Sequence, residues 1–250
     1  MHNHGDFPVE SLFLIPAVAA VAAYWAGTRS EKSGAWPYWR LVYFLAGVLA
    51  VLVTVLEPLA GLAHQDFGAL ALSHVLAGMA GPVLLVLARP VELALRTLDD
   101  VPSARLSRSV HSPAARALTH PVTATVLVAA GMWAMFHTPL LTAMQQSMPV
   151  HWLASAYLAA TGCLFTAAVL DYGPAKYGFA LRAGALGAAA AVHAASAAWL
   201  LIFPPAGTGY TAAGALVLLV SGLAVQAVLA LILLGQQRGI ARLLPQARGA

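Results

Sequence analysis

The sequence predicts an all-α fold, a polytopic membrane protein whose single domain is a bundle of seven transmembrane helices. Three observations predict it. The chain is 60% hydrophobic and 9% charged, with a mean hydropathy of +0.79, whereas soluble domains carry about 25% charged residues. Its long apolar runs are close to the ~20 residues that a helix needs to cross hydrocarbon. Its basic residues all fall in loops on one side of the predicted bundle, as the positive-inside rule requires.

The apolar runs place the seven spans and leave no room for a soluble domain, so residues 1–250 form one membrane domain. The second run opens with Trp36-Pro37-Tyr38-Trp39-Arg40, an aromatic and cationic anchor for the membrane interface. Within the long loop that follows the third run, Pro90 to Leu98 is predicted to form a short interfacial helix. The spans are predicted at about residues 9–26, 38–56, 67–88, 121–141, 150–170, 181–203 and 211–234.

The basic residues also predict the orientation of the chain. When loops alternate sides, all 13 Lys and Arg lie on one side, which places the N-terminus outside and the C-terminus in the cytoplasm of a bacterial plasma membrane. The net charge of +4 therefore reflects the topology of the chain in the membrane. It is not a sign of nucleic-acid binding, and that function is excluded. The single cysteine, Cys163, excludes an intramolecular disulfide and any cysteine-based metal cluster.

The histidines collect on the opposite, outer side of this topology, where there is no lysine or arginine. Two of them lie within spans: His74 is ~12 Å and His193 ~15 Å below the outer helix ends, at ~1.5 Å per helical residue. The others are in the outer loops and at the outer ends of spans four and five, with four carboxylates and four methionines on the same side. These residues are His2, His4, His64, His137, His151, Asp6, Glu10, Glu57, Asp66, Met132, Met135, Met144 and Met148.

Imidazole and thioether groups without competing cations are the ligands that copper prefers, above all cuprous copper. The predicted metal ligands are His64, His74, His137, His151 and His193. A structural interpretation stays open for each, because loop histidines are often ordinary interface residues. A histidine within a span is also satisfied by a hydrogen bond to a carbonyl or a serine. No nucleophile–base set, phosphate loop or pair of carboxylates is visible, so the chain is not predicted to be an enzyme.

Several short motifs occur in an order that resembles a known family, the CtaG-type assembly proteins of bacterial cytochrome c oxidases. The motifs are Trp36-Pro37, Trp39-Arg40, Pro58-Leu59, His64, Phe67, His74, Pro82, Arg89-Pro90, His120-Pro121, Trp133, His137, Pro139, His151, Gly162 and Phe165. The resemblance implies seven spans and a role in maturation of the oxidase through copper delivery. It also implies His64, His74, His137 and His151 as candidate ligands.

The sequence departs from the family pattern where further ligands are expected. Leu70 and Ser73 replace a histidine and a glutamine, Ala154-Ser155 replaces an acid–histidine pair, and residues 214–218 lack the family's last signatures. The leading hypothesis is a membrane assembly factor for cytochrome c oxidase that holds or delivers copper. The lost ligands favour an alternative, a metal-free structural partner of an oxidase or another membrane respiratory complex. A third hypothesis is a b-type haem protein with His74 and His193 as axial ligands.

Overall fold

The computed structural model describes residues 13–205 and 209–243, with side chains up to residue 239, and every regular element in these ranges is helical. His2, His4, Asp6, Glu10 and Arg248 lie outside the described residues. The helices are α1 Leu14–Arg29, α2 Tyr38–Leu52, α3 Leu59–Ala63, α4 Phe67–Val75, α5 Gly81–Leu87, α6 Pro90–Thr97, α7 Asp100–Val110, α8 Pro113–Leu118, α9 Pro121–His137, α10 Leu140–Gln146, α11 Met148–Val169, α12 Phe179–Ile202 and α13 Ala212–Leu243. A 3₁₀ turn covers Glu31–Ser33, and a π-helical segment, Leu76–Ala80, joins α4 to α5.

Four helical stretches are long and apolar enough to cross a membrane: Phe67–Thr97, Met148–Val169, Phe179–Ile202 and Ala212–Gly239. A fifth is added if α9 and α10, which meet at a 70° bend, count as one broken span. Helix α2 is apolar but has 15 residues, and α1 has 16. Both are shorter than the ~20 residues of a straight span. The all-helical membrane class is therefore confirmed, while the count of seven spans stays a prediction.

The outward faces of these stretches carry large aliphatic side chains that no other part of the chain covers. Leu153 is 73% exposed, Leu231 69% and Val220 65%. A monomeric soluble protein rarely leaves such a continuous apolar surface in water. Lipid tails are the environment that suits it.

The helix α4, the π segment and α5 together form the central element, which contacts α13, α11 and α2. Asp66 begins this element by accepting a hydrogen bond from the Ala69 N–H at 2.7 Å, the usual cap of a helix N-terminus. Gly162 of α11 packs directly on the carbonyl of Gly78 in the π segment, where a Cβ atom does not fit. The missing side chain lets the two backbones approach closely, as small residues do in membrane bundles.

Three arginines of the first half of the chain meet at one end of the bundle. Glu92 of α6 lies within 4 Å of the guanidinium groups of Arg40, Arg89 and Arg96. Arg89 also stacks over Tyr172, which follows α11, at 4.4 Å from the ring centroid. We call this the basic end. It contains α6, whose residues match the predicted interfacial helix, and two short helices without buried residues, α7 and α8, that the apolar pattern did not predict.

An exposed ion pair also lies at the basic end. Lys32 bonds to Asp99 at 2.9 Å, and this hydrogen bond lowers the pKa of the Asp99 carboxyl below its usual range. The contact ties the turn after α1 to the start of α7. It supports the predicted alternation of loops, because both segments carry basic residues assigned to the same side.

Candidate metal centres

The five predicted histidine ligands are divided by the fold into two pairs and one separate residue. The rings of His64 and His151 lie 5.3 Å apart between centroids, nearly parallel at 28°. The rings of His74 and His193 lie 6.2 Å apart. His137 contacts neither pair, and its Nε2 is hydrogen-bonded to the Ser196 hydroxyl.

The first pair is held where α3 turns into α4 and where α11 begins. His64 directly follows α3, and its Nδ1 lies 2.6 Å from the main-chain oxygen of Gln145. A carbonyl only accepts, so this nitrogen carries the proton and Nε2 keeps its lone pair. That Nε2 lies 3.0 Å from the Met148 sulfur. A thioether and an imidazole lone pair therefore face each other with no proton between them.

The ring of His151 is also oriented by a hydrogen bond to a main-chain carbonyl. It lies in the first turn of α11, is 1% exposed, and its Nε2 donates to the main-chain oxygen of Thr54 at 3.0 Å. Its Nδ1 therefore holds a lone pair, and among the described residues this buried atom has no partner. A buried polar atom without a partner costs ~1–3 kcal/mol. A ligand that binds this nitrogen would remove that cost.

These three residues define what we call the outer site: His64, His151 and Met148. It offers two imidazole nitrogens and one thioether sulfur, all uncharged, which is a set suited to cuprous copper. Main-chain carbonyls fix both rings, the kind of support that metal-binding histidines ordinarily have. His64 and Met148 are half-buried, so the site is open to a partner on one side.

The second pair is deeper in the bundle, and we call it the inner pair. His74 lies in α4 immediately before the π segment, is 3% exposed, and its Nδ1 has no partner in the protein. His193 of α12 is 2% exposed, and its Nε2 donates to the Leu218 oxygen at 2.9 Å. Both histidines line a small cavity of about 20 Å³ together with Gln226.

The size of this cavity decides against haem. Two axial histidines need a slot between them that admits a whole porphyrin, whereas about 20 Å³ holds one water or one ion. Phe136 also packs edge-on against His74, with centroids 5.1 Å apart. The hypothesis of a b-type haem between His74 and His193 is therefore inconsistent with the packing.

The described residues contain no group of three or more His, Cys, Asp or Glu that could hold a metal ion. A single site that joins His74 with His64, His137 and His151 is thus not assembled. His137 lies against Trp133, with centroids 4.6 Å apart, beside a separate cavity of about 270 Å³.

The carboxylates predicted near the histidines serve the local backbone. Asp66 caps α4, and Glu57 accepts from the Gly61 N–H at 3.3 Å. Sequence reasoning placed Met148 beside the histidines but did not include it among the ligands. Its spacing was a usable signal, because Met148 precedes His151 by three residues, one helical turn, and such residues share a face.

The comparison with known families is decisive for the class of protein. Residues 21–238 match the cytochrome c oxidase caa3 assembly factor family (Caa3_CtaG). The chain belongs to this family. The resemblance seen in the sequence motifs is therefore confirmed, and the match covers both histidine pairs and the basic end.

The curated relatives are longer than the chain itself. It is 31% identical over 196 residues to the uncharacterized proteins Mb0105 of Mycobacterium bovis and MT0111 of Mycobacterium tuberculosis, and 30% identical to ML1998 of Mycobacterium leprae. The matches cover 74% of this chain but 30% of each relative. No solved structure matches the chain.

One departure of this chain from the expected motif now has a structural account. Leu70, which stands where a histidine was expected, is fully buried in an apolar cluster with Phe67 and Leu218. No ligand is available at that position. The imidazole next to His74 comes instead from His193 on α12, a position the motifs did not indicate.

Proposed function

We propose that this assembly factor holds cuprous copper at the outer site and passes it to a cytochrome c oxidase during assembly of that complex. One observation carries the proposal. His64 and His151 are locked by main-chain carbonyls in tautomers that leave one bare nitrogen each, and the Met148 sulfur lies 3.0 Å from one of those nitrogens. Because the site stores no proton on these atoms, it is prepared for a cation.

The donor set favours copper(I) over other ions. Zinc and the harder divalent ions are usually bound with a thiolate or a carboxylate, and the outer site has neither. All five ion pairs of the described residues lie at the basic end or beside Asp171, away from these histidines. A monovalent ion therefore meets two neutral nitrogens and one polarizable sulfur, with no cation to repel it.

The exposure of the outer site suits delivery. Met148 is half-buried at the first residue of α11, and His64 is half-buried in the turn after α3, whereas His151 is buried one turn into α11. The thioether is the weakest of the three donors and the first to be replaced by a stronger ligand from a partner. Copper then remains bound to the imidazoles while a partner's ligand takes the place of Met148, so the ion is handed over without being released to water.

The proposal includes the full topology. Seven spans with the basic end in the cytoplasm place the outer site at the outer face of a bacterial plasma membrane. The positive-inside asymmetry of all 13 Lys and Arg supports this orientation. A cytochrome c oxidase in the same membrane is the partner, and the role is one of binding and transfer with no catalysis.

Titration with copper(I) tests the proposal directly. The purified protein is kept anaerobic in detergent and competed against a chromophoric cuprous chelator, with wild type compared to His64→Ala and Met148→Leu. We expect a loss of ~100-fold or more in affinity for the first variant and ~10-fold for the second, the range in which altered metal sites usually fall.

The matched control is His111→Ala, which removes an exposed histidine whose Nδ1 donates to the Ser107 oxygen at 2.8 Å in the polar helix α7. This variant should bind copper as wild type does. Equal affinity in wild type and His64→Ala would reject the outer site. A metal-free structural role would then be the better account, provided that oxidase assembly survives the same substitution.

A further inference from the structure

We propose that the inner pair is a second copper(I) site, in which His74 and His193 bind one ion between α4 and α12. This inference rests on the proposed function in one respect, that copper is what the protein carries. It concerns different residues, at a different depth, and it is tested separately from the outer site.

Two buried polar side chains point to an occupant of the cavity. Within the described residues, His74 Nδ1 and Gln226 Oε1 find no hydrogen-bond partner, although the residues are only 3% and 6% exposed. Both residues line the same cavity of about 20 Å³, and Gln226 also lines a second cavity of about 360 Å³. Buried polar atoms are almost always satisfied, so two unpartnered atoms on residues that line one small space indicate a missing partner there. The volume is right for one water or one ion.

The tautomer of His193 points to an ion. Its Nε2 donates to the Leu218 oxygen at 2.9 Å, so the proton is on that nitrogen and Nδ1 has a lone pair. The absence of a side chain at Gly222 makes this possible, because a Cβ atom there would collide with the ring. A carbonyl that fixes the remote nitrogen of a ring is a common support for a metal-binding histidine.

The spacing of the two rings matches linear coordination. A metal–nitrogen bond is ~2.0 Å and a ring nitrogen lies ~1.1 Å from its centroid, so two imidazoles on one ion have centroids ~6.2 Å apart. The observed distance is 6.2 Å. The separation of the rings is therefore compatible with one ion between them. His74 also adjoins the π segment Leu76–Ala80, and such segments often occur at functional sites in helices.

The lining of the cavity selects a soft monovalent ion. Met79 and Met132 are among the lining residues, and none of the lining residues is acidic or basic. Without a carboxylate, a divalent ion keeps its full charge in an apolar interior, and the cost of burying an ion rises with the square of that charge. Cuprous copper carries one charge and accepts imidazole and thioether ligands.

The outer site and the inner pair differ in how easily a partner protein can reach them, and we assign them different roles. His64 and Met148 are half-buried, whereas His74 and His193 are almost fully buried. Helix α4 begins at Phe67, so His74 lies ~10 Å along the axis from its start. The outer site exchanges copper with a partner, and the inner site retains an ion that is released slowly.

Stoichiometry and X-ray absorption test this inference. Wild type should bind two equivalents of copper(I) under anaerobic competition. His64→Ala combined with Met148→Leu should bind one, and so should His74→Leu combined with His193→Leu. In the outer-site double variant, the remaining copper should show two nitrogen neighbours at ~2.0 Å in a linear arrangement. This measurement leaves the inner histidines intact, so it does not depend on whether their replacement disturbs folding.

The outcomes separate the two proposals. One equivalent that disappears in the outer-site double variant overturns the inner site, with a water as the occupant of the cavity, and leaves the proposed function intact. One equivalent that disappears only in the inner-site variant overturns the outer site and supports the inner one. No copper in any form overturns both. Gly222→Ala is a milder probe, because it displaces the His193 ring and should weaken only the slowly released equivalent.

Discussion

Replacement of His151 by leucine should separate the stability of the protein from its response to copper. In the metal-free protein the change removes the hydrogen bond to the Thr54 oxygen and leaves that buried acceptor without its donor, which costs ~1–3 kcal/mol. It also removes the unpartnered Nδ1, whose burial costs ~1–3 kcal/mol. The two effects oppose each other, so the free energy of unfolding without copper should stay within ~2 kcal/mol of wild type.

With copper present, wild type should become the more stable of the two proteins. A ligand present at 100 times its dissociation constant stabilises the folded state by ~2.7 kcal/mol, and this corresponds to ~5–10 °C in melting temperature for a chain of this size. Wild type should gain this shift from the outer site, and His151→Leu should lack it. The assay is thermal unfolding in detergent with and without a buffered cuprous complex. An equal shift in both proteins would refute the assignment of His151 as a ligand.

Three further predictions follow from other parts of the fold. Gly162→Val should lower the melting temperature by several degrees because a side chain there collides with the Gly78 carbonyl. Gly184→Ala, with nothing within 4 Å of its added carbon, is the matched control and should not. Arg182→Leu should destabilise the fold by ~2 kcal/mol, because the Arg182 guanidinium donates a hydrogen bond to the Val169 oxygen at the basic end. Copper affinity should not change, and a loss of copper binding in a folded variant would contradict the separation of the basic end from the histidine sites. Copper affinity should fall as the pH is lowered, because a protonated imidazole has no lone pair to offer the ion. Competition titrations from pH 8 to pH 5 that show no decline would argue against histidine ligation.

Much of the architecture was predictable because hydrocarbon imposes a length and a composition on each helix. The predicted start of the third span at residue 67 coincides with α4, and the fifth prediction, 150–170, is close to α11 at Met148–Val169. The interfacial helix was also predictable, since Pro90 is favoured at the first helical position. Helices α7 and α8 were not, because they are short, have no buried residue and carry no apolar pattern of the length that a span needs.

The pairing of the histidines could not be predicted from the sequence, for two physical reasons. Which rings meet depends on how helices pack, and the approach of α13 through Gly222 determines where the His193 ring lies. The tautomers depend on main-chain carbonyls of Thr54 and Gln145, which carry no sequence signature. The sequence indicated which histidines to consider, and their orientation in the membrane and their role as ligands stay predictions. Only the fold separates the outer site from the inner pair and leaves His137 apart.

The most direct measurement is the copper K-edge X-ray absorption of the copper(I)-loaded protein, with wild type and Met148→Leu recorded side by side. Our account predicts that wild type shows nitrogen neighbours at ~2.0 Å and a sulfur neighbour near ~2.3 Å, and that the sulfur contribution falls in the variant. Identical spectra from the two proteins, or a shell of oxygen and nitrogen alone in wild type, would contradict a copper site built from His64, His151 and Met148.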